Sequence, residues 1–203
     1  MTIMPTRKNP APLEGNRVHL RPPRRTDHPS FIVQARHSRA MHRGWVQAPD
    51  TAEAFAAYVK RYGTRSDAPR NTGFLVVRNC DDALAGVINF SEIIRGAFRS
   101  AYVGYYAFAG QAGDGHMTEA FALALDFAFR DLGLHRIEAN VQPANTRSLA
   151  LVERLGFVRE GYSRRYVKIA GRWRDHVRFA MLAEDWRKRR TAIRRRLASA
   201  GGA

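Results

Sequence analysis

Apolar positions change period several times along the chain, and each change marks an element. Val18-His19-Leu20-Arg21 alternates apolar and polar, the two-residue period of a short strand, and Pro22-Pro23 stops it. Asp27 caps a predicted helix with Pro29 in its first turn, running to about Met41. A second start signal is Asp50-Thr51-Ala52-Glu53, after which Phe55, Tyr58, Val59 and Tyr62 follow helical spacing. Past Gly73 the pattern becomes β-type: residues 74–78 and 84–90 form a predicted hairpin about 79–83, and 98–108 a third strand. From His116 to about Leu132 the apolar residues Phe121, Leu125, Ala128 and Leu132 recur at i, i+4, i+7 and i+11, one buried helical stripe that Gly133 ends. Residues 135–141 read as a strand broken by Pro143. Asn145 caps a helix through Leu155, and Gly156 stops it. Two last strands, near 157–169 and 173–182, flank a turn at Ala170-Gly171. The predicted order is β-α-α-β-β-β-α-β-α-β-β, with no repeat and no linker between two cores. This is one α/β (α+β) domain with a mixed sheet.

Charge adds a second pattern. The 203 residues hold 34 basic and 18 acidic side chains, a net +16, and 30 of the basic residues are Arg. A hydrophobic content of 45% excludes a wholly disordered polyelectrolyte. The charge favours anionic partners such as nucleic acid, the ribosome or a phosphate-bearing cofactor. It is concentrated near the ends: residues 1–28 carry +4 and 186–203 carry +7. Residues 1–16, with Pro5, Pro10, Pro12 and Gly15, are expected to be a loose leader, 17–186 the folded domain, and 187–203 a basic tail, helical at first from Trp186 but mainly a basic run, more a solvated one than a dedicated RNA site. The single cysteine, Cys80, excludes an internal disulfide framework. No signal peptide is recognisable, and the longest uncharged stretch, 100–113, is shorter than a membrane span, so a cytoplasmic protein is expected.

Two motifs carry chemistry. Gly113-Asp114-Gly115 follows a strand and opens a helix, where backbone N–H groups favour phosphate. It lacks the Lys-Ser/Thr of a Walker loop and the third Gly of a dinucleotide fingerprint, so an ordinary glycine turn fits it equally well by itself. Asn145-Thr146-Arg147-Ser148, followed by Leu155-Gly156-Phe157, is explained by plain capping when taken alone. The seven His and lone Cys show no metal-ligand spacing, so no metal is expected. The aromatic run Tyr102, Tyr105, Tyr106, Phe108 suggests base stacking at first sight, but strand spacing favours core.

Taken together and in order, these features resemble the GNAT superfamily of acetyl-CoA-dependent N-acetyltransferases. Within it the chain is similar to the RimJ/RimL ribosomal-protein-alanine N-acetyltransferases, most specifically at Gly171-Arg172-Trp173-Arg174-Asp175-His176-Val177. The resemblance implies a mixed, mostly antiparallel sheet flanked by helices, with splayed strands holding the cofactor. It implies that the backbone of Tyr106, Ala107 and Phe108 binds the pantetheine arm and acetyl group. The pyrophosphate loop falls on Ala112, Gly113, Asp114, Gly115, His116 and Met117; Ala112 replaces the usual Gln or Arg, and Met117 a small residue. Asn145 and Ser148 fall beside the thiol end, with Ser148 protonating or hydrogen-bonding the leaving thiolate.

The implied reaction is direct transfer from acetyl-CoA to a protein N-terminal α-amine, on a ribosomal protein alanine, through a tetrahedral intermediate. An oxyanion donor is expected from strand backbone near Phe108. Glu138 is the candidate base, since Asn140, one pleat on, cannot serve; an ion pair with Arg136 is its structural alternative. Glu92 and Glu160 are reserves, and a His176–Asp175 relay is discounted because adjacent strand residues point apart. Competing acceptors are small amines such as a polyamine, antibiotic or amino acid. A non-catalytic ribosome- or RNA-binding module on the same scaffold is the remaining alternative. The basic ends suggest ribosome or RNA contact, and a monomer or homodimer fits; no membrane partner is expected.

Overall fold

Strand periodicity in the first half and two strongly amphipathic helices in the second build an eight-stranded sheet with helices on both faces. The computed structural model describes residues 12–63, 70–111 and 115–199. The strands are β1 (Leu13–Glu14), β2 (Val18–Arg21), β3 (Thr72–Arg78), β4 (Leu84–Ile94), β5 (Ser100–Ala107), β6 (Arg136–Val141), β7 (Val158–Ile169) and β8 (Arg172–Leu182). The helices are α1 (His28–His37), α2 (Arg39–His42), α3 (Ala52–Tyr62), α4 (His116–Arg130), α5 (Thr146–Leu155) and α6 (Ala183–Ser199). The sheet order is β1-β2-β3-β4-β5-β6-β8-β7, antiparallel throughout except for β5 beside β6. This is the mixed, mostly antiparallel sheet expected.

Each face of the sheet has its own core. On one, Phe121, Leu125 and Ala128 of α4 are fully buried against Phe74, Val76, Ile88, Val103 and Ile137. On the other, Phe31 of α1 and Phe55 and Tyr58 of α3 pack on Leu75, Val77, Val87 and Phe108. The second cluster rests on β3, β4 and the end of β5, and no residue of β6, β7 or β8 joins it. No helix among the described residues is long and apolar enough to cross a membrane.

Three departures from the sequence reading matter. First, the predicted helix 27–41 breaks at Ser38. Its fully buried hydroxyl donates to Gln34 O (2.7 Å) and accepts from Ala109 N–H (2.8 Å), which turns α2 toward the end of β5. Second, the expected leader contains β1, paired with β2 through Leu13↔Leu20. The buried Glu119 of α4 pins the intervening turn, accepting from Asn16 N (2.5 Å), Arg17 N (3.2 Å) and Arg17 Nε (3.1 Å). Third, residues 187–199 of the expected basic run belong to a 17-residue helix docked on α4. Trp186 and Ile193 are buried there, and Trp186 Nε1 donates to the buried Asp126 (2.8 Å). Arg190 (3.8 Å) and Arg194 also pair with that carboxylate.

Candidate active site

A wedge opens where β5 leaves β6. The two pair in parallel only through Ser100↔Arg136, Ala101↔Ile137 and Tyr102↔Glu138, while β5 stays paired with β4 as far as Ala107. The wedge leads into a cavity of about 1010 Å³, large enough for a small-molecule ligand. Its walls come from β5, β6, α2, the start of α4, α5 and the β7–β8 hairpin.

Hydrogen-bond alternation decides which β5 groups face the wedge. Phe108 N–H donates to Ala85 O of β4 (2.9 Å). Phe108, Tyr106 and Gly104 therefore spend their backbone groups on β4, and the intervening Ala107 and Tyr105 turn theirs into the wedge. Ala107 O is fixed by the Nε2–H of His42 (2.8 Å). Burial lowers the His42 pKa, and its bare Nδ1 is buried without a partner on the cavity wall.

At the start of α4, Gly115 adopts φ +76°, which a side chain would strain. Met117 fills the space that Gly86 leaves on β4: a Cβ on Gly86 would meet its Sδ at 2.6 Å. Arg154 of α5 reaches the same helix end, 3.5 Å from Thr118 Oγ1, and lines the cavity with Gly115, Met117 and Thr118. His116 opens the helix. Ala112, Gly113 and Asp114 lie outside the described residues.

Asn145 caps α5, its Oδ1 accepting from Ser148 N–H (3.1 Å). That bond aims the first turn of α5 at the wedge. There Ser148 Oγ lies 2.5 Å from the hydroxyl of Tyr105, whose pKa burial pushes well up. Tyr105 therefore stays protonated; either hydroxyl can donate in this pair, and when Tyr105 does, the serine proton is free for a group in the cavity.

Glu138 does not reach the cavity wall. Its Oε1 accepts from Arg136 Nε (2.9 Å), and Arg136 also holds Glu160, whose carboxyl it keeps below the ordinary range. The residue on the wall is His176, 4% exposed. Its Nδ1 lies 3.0 Å from Arg174 O, an acceptor, so Nδ1 carries the proton and Nε2 the lone pair. Burial lowers its pKa, partly offset by that carbonyl and by Asp175, so the ring is neutral near pH 7. Asp175 points elsewhere: it accepts from Tyr162 O–H (2.6 Å) and Arg165 N–H (2.7 Å), holding the β7 bulge between Ser163 and Val167. Sequence reading missed Tyr105 as the partner of Ser148, and also missed His42 and Arg154. The capping rule that fixed Ser148 carries no information on what packs against it, and His42 meets Ala107 only through the break at Ser38.

Comparison with known proteins places this arrangement in one class, the N-acetyltransferases. The chain belongs to the acetyltransferase (GNAT) domain family, whose match spans residues 17–158. It is 36% identical over 177 residues to the probable N-acetyltransferase YjcK of Bacillus subtilis (strain 168), covering 85% of this chain and 98% of that one. It is 45% identical over 103 residues to the ribosomal protein uS5-alanine N-acetyltransferase of Escherichia coli (strain K12), spanning 51% of this chain and 53% of that relative. Among solved structures, Mycobacterium smegmatis RimJ in complex with CoA-disulfide superimposes with a TM-score of 0.80 at 29% identity, covering 91% of this chain and 89% of that one.

Proposed function

We propose that this acetyltransferase moves the acetyl group of acetyl-CoA to the N-terminal α-amine of a protein, a ribosomal protein alanine by likeness to the uS5 enzyme. The observation that carries the choice of acceptor is the cavity's charge. Among the described residues no Asp or Glu lines it. A polyamine or polycationic antibiotic keeps charges that need carboxylates, whereas an N-terminal amine reacts only after losing its single charge. With a reference pKa of about 8, that amine gives up its proton far more readily than lysine.

The residues present fit acetyl-CoA. The wedge-facing backbone of Tyr105 and Ala107 matches an amide-bearing arm, and the positive end of α4 with Arg154 suits a pyrophosphate. Arg154 supplies the cation that Ala112 does not. The oxyanion donor is assigned to Ala107 N–H, since Phe108 N–H is spent on Ala85. His42 steadies that peptide through Ala107 O.

His176 Nε2 takes the amine proton, and Glu138 serves to orient Arg136. The amine nitrogen attacks the thioester carbonyl, and the tetrahedral intermediate collapses with loss of the thiolate. Ser148 then gives that sulfur a proton and is refilled by Tyr105, while the second proton shed by the newly acylated nitrogen returns through solvent to Tyr105, so both hydroxyls end as they began. Asn145 holds Ser148 in place. The exposed cations Arg187, Lys188, Arg195 and Arg196 of α6 support approach to an RNA-rich particle.

The test pairs acetyl-CoA with alanine-led peptides, N-terminally blocked controls and spermidine. Free N-termini are acetylated and blocked ones are not. Turnover of spermidine alone would overturn the acceptor assignment. Acetyl-CoA is expected to raise the melting temperature, since it binds the native state.

A further inference from the structure

On β8, alternate side chains share a face, so Arg174, His176 and Arg178 all point away from α4. His176 lies on the cavity wall, and each arginine borders it: Arg174 is the cross-strand partner of the wall residue Val167, and Arg178 that of the wall residue Asn140. Both guanidinium groups are half-buried. Among the described residues their Nε–H groups are shut from solvent with no hydrogen-bond partner, and no carboxylate forms an ion pair with either. The nearby carboxylates are committed: Glu138 and Glu160 both bond Arg136. Glu160 feels the charge of Arg178 but makes no hydrogen bond to it.

Space is reserved for Arg178 as well. At Gly161 of β7 a Cβ would stand 2.9 Å from Arg178 Nη2, so a side chain there would push the guanidinium from its present position across the strand. Unpaired, partly desolvated cations cost stability, and two beside one reaction site mark a place for an incoming anion. Resting on the peptide-acceptor reading above, we propose that Arg174 and Arg178 bind an acidic side chain at the second or third residue of the acceptor. Strand rise puts Arg174 and Arg178 roughly 6–7 Å from His176 on either side of it along β8, about two residues of an extended peptide whose amine is at His176.

The experiment measures kcat/KM for alanine-led peptides with Asp or Glu at position two or three, beside their Asn or Gln isosteres and Lys counterparts. Acidic peptides are expected to exceed the amides by about tenfold, through KM, with Lys peptides lowest. In the Arg174→Gln/Arg178→Gln double variant the acid-to-amide ratio falls to about one. An acetyl-CoA melting shift checks that this variant is folded. Equal rates for acidic and amide peptides in the unmodified protein, or a preference surviving in the folded double variant, would overturn the inference while leaving peptide acetylation intact. A free-alanine arm tests the other carboxylate source, and preference for it over every peptide overturns the inference. Acetylation of no peptide overturns both this inference and the reading beneath it.

Discussion

Replacing His176 by glutamine removes the only neutral imidazole lone pair that the hairpin offers the acceptor, while keeping volume and an amide able to donate to Arg174 O. A positioned general base contributes about 10²–10⁴-fold. The lower end applies here, because an α-amine with a pKa near 8 is already about one-tenth neutral at pH 7 and water can accept part of the proton. His176→Gln should therefore lower kcat about 100-fold with the KM for acetyl-CoA unchanged.

The pH profile supplies a sharper readout. Protonating Nε2 removes the base, so the native rate falls as pH drops through the His176 pKa. Burial puts that acid limb below 6.5, the group's ordinary value. The assay is initial rate against pH from 5 to 9 with an alanine-led peptide. In His176→Gln the limb disappears and the rate follows the amine's own titration near pH 8. A variant within about threefold of native that keeps the same acid limb would refute the assignment and return the role to water.

Three other outcomes follow from the same geometry. Ser148→Ala and Tyr105→Phe should each lower kcat by about 10–100-fold, and the double variant should fall little further because the hydroxyls act as a unit; full multiplication of the two losses would separate them. Asp126→Ala orphans the buried Trp186 N–H and frees two partly exposed arginines, about 3 kcal/mol, or a melting temperature lower by about 6–12 °C in calorimetry, with partial recovery on adding Trp186→Phe. His42 and His176 both titrate lower folded than unfolded, so the unfolded chain binds more protons below pH 6.5 and stability is lost as pH falls through that window; urea titrations at pH 7.5 and 5.5 should show it, and His42→Gln/His176→Gln should flatten it.

What the sequence made legible was local. Asn145, Gly156 and the α4 stripe act within a few residues of themselves, so capping and periodicity sufficed to find them. The site's partnerships cross long separations: His42 reaches Ala107 and Tyr105 reaches Ser148, and no spacing rule encodes either. Glu138 shows the limit from the other side. Its strand face and its two readings, base or partner of Arg136, were both readable, and it is the ion pair that the fold forms. Helix α6 was legible only at its start, for another reason. Trp186, Ile193 and Leu197 keep one helical stripe, but the arginines between them read as a solvated run.

The parting of β5 from β6 has a mechanical side. Three register positions are all that join the two strands, so the sheet is nearly two smaller sheets bridged by α4, which touches strands of both. A ligand lodged in the gap and touching both lips replaces the missing ladder and acts as a rivet. The acetyl donor is then also a structural part of the molecule in use, and amide exchange along β5 and β6 should slow together when it binds.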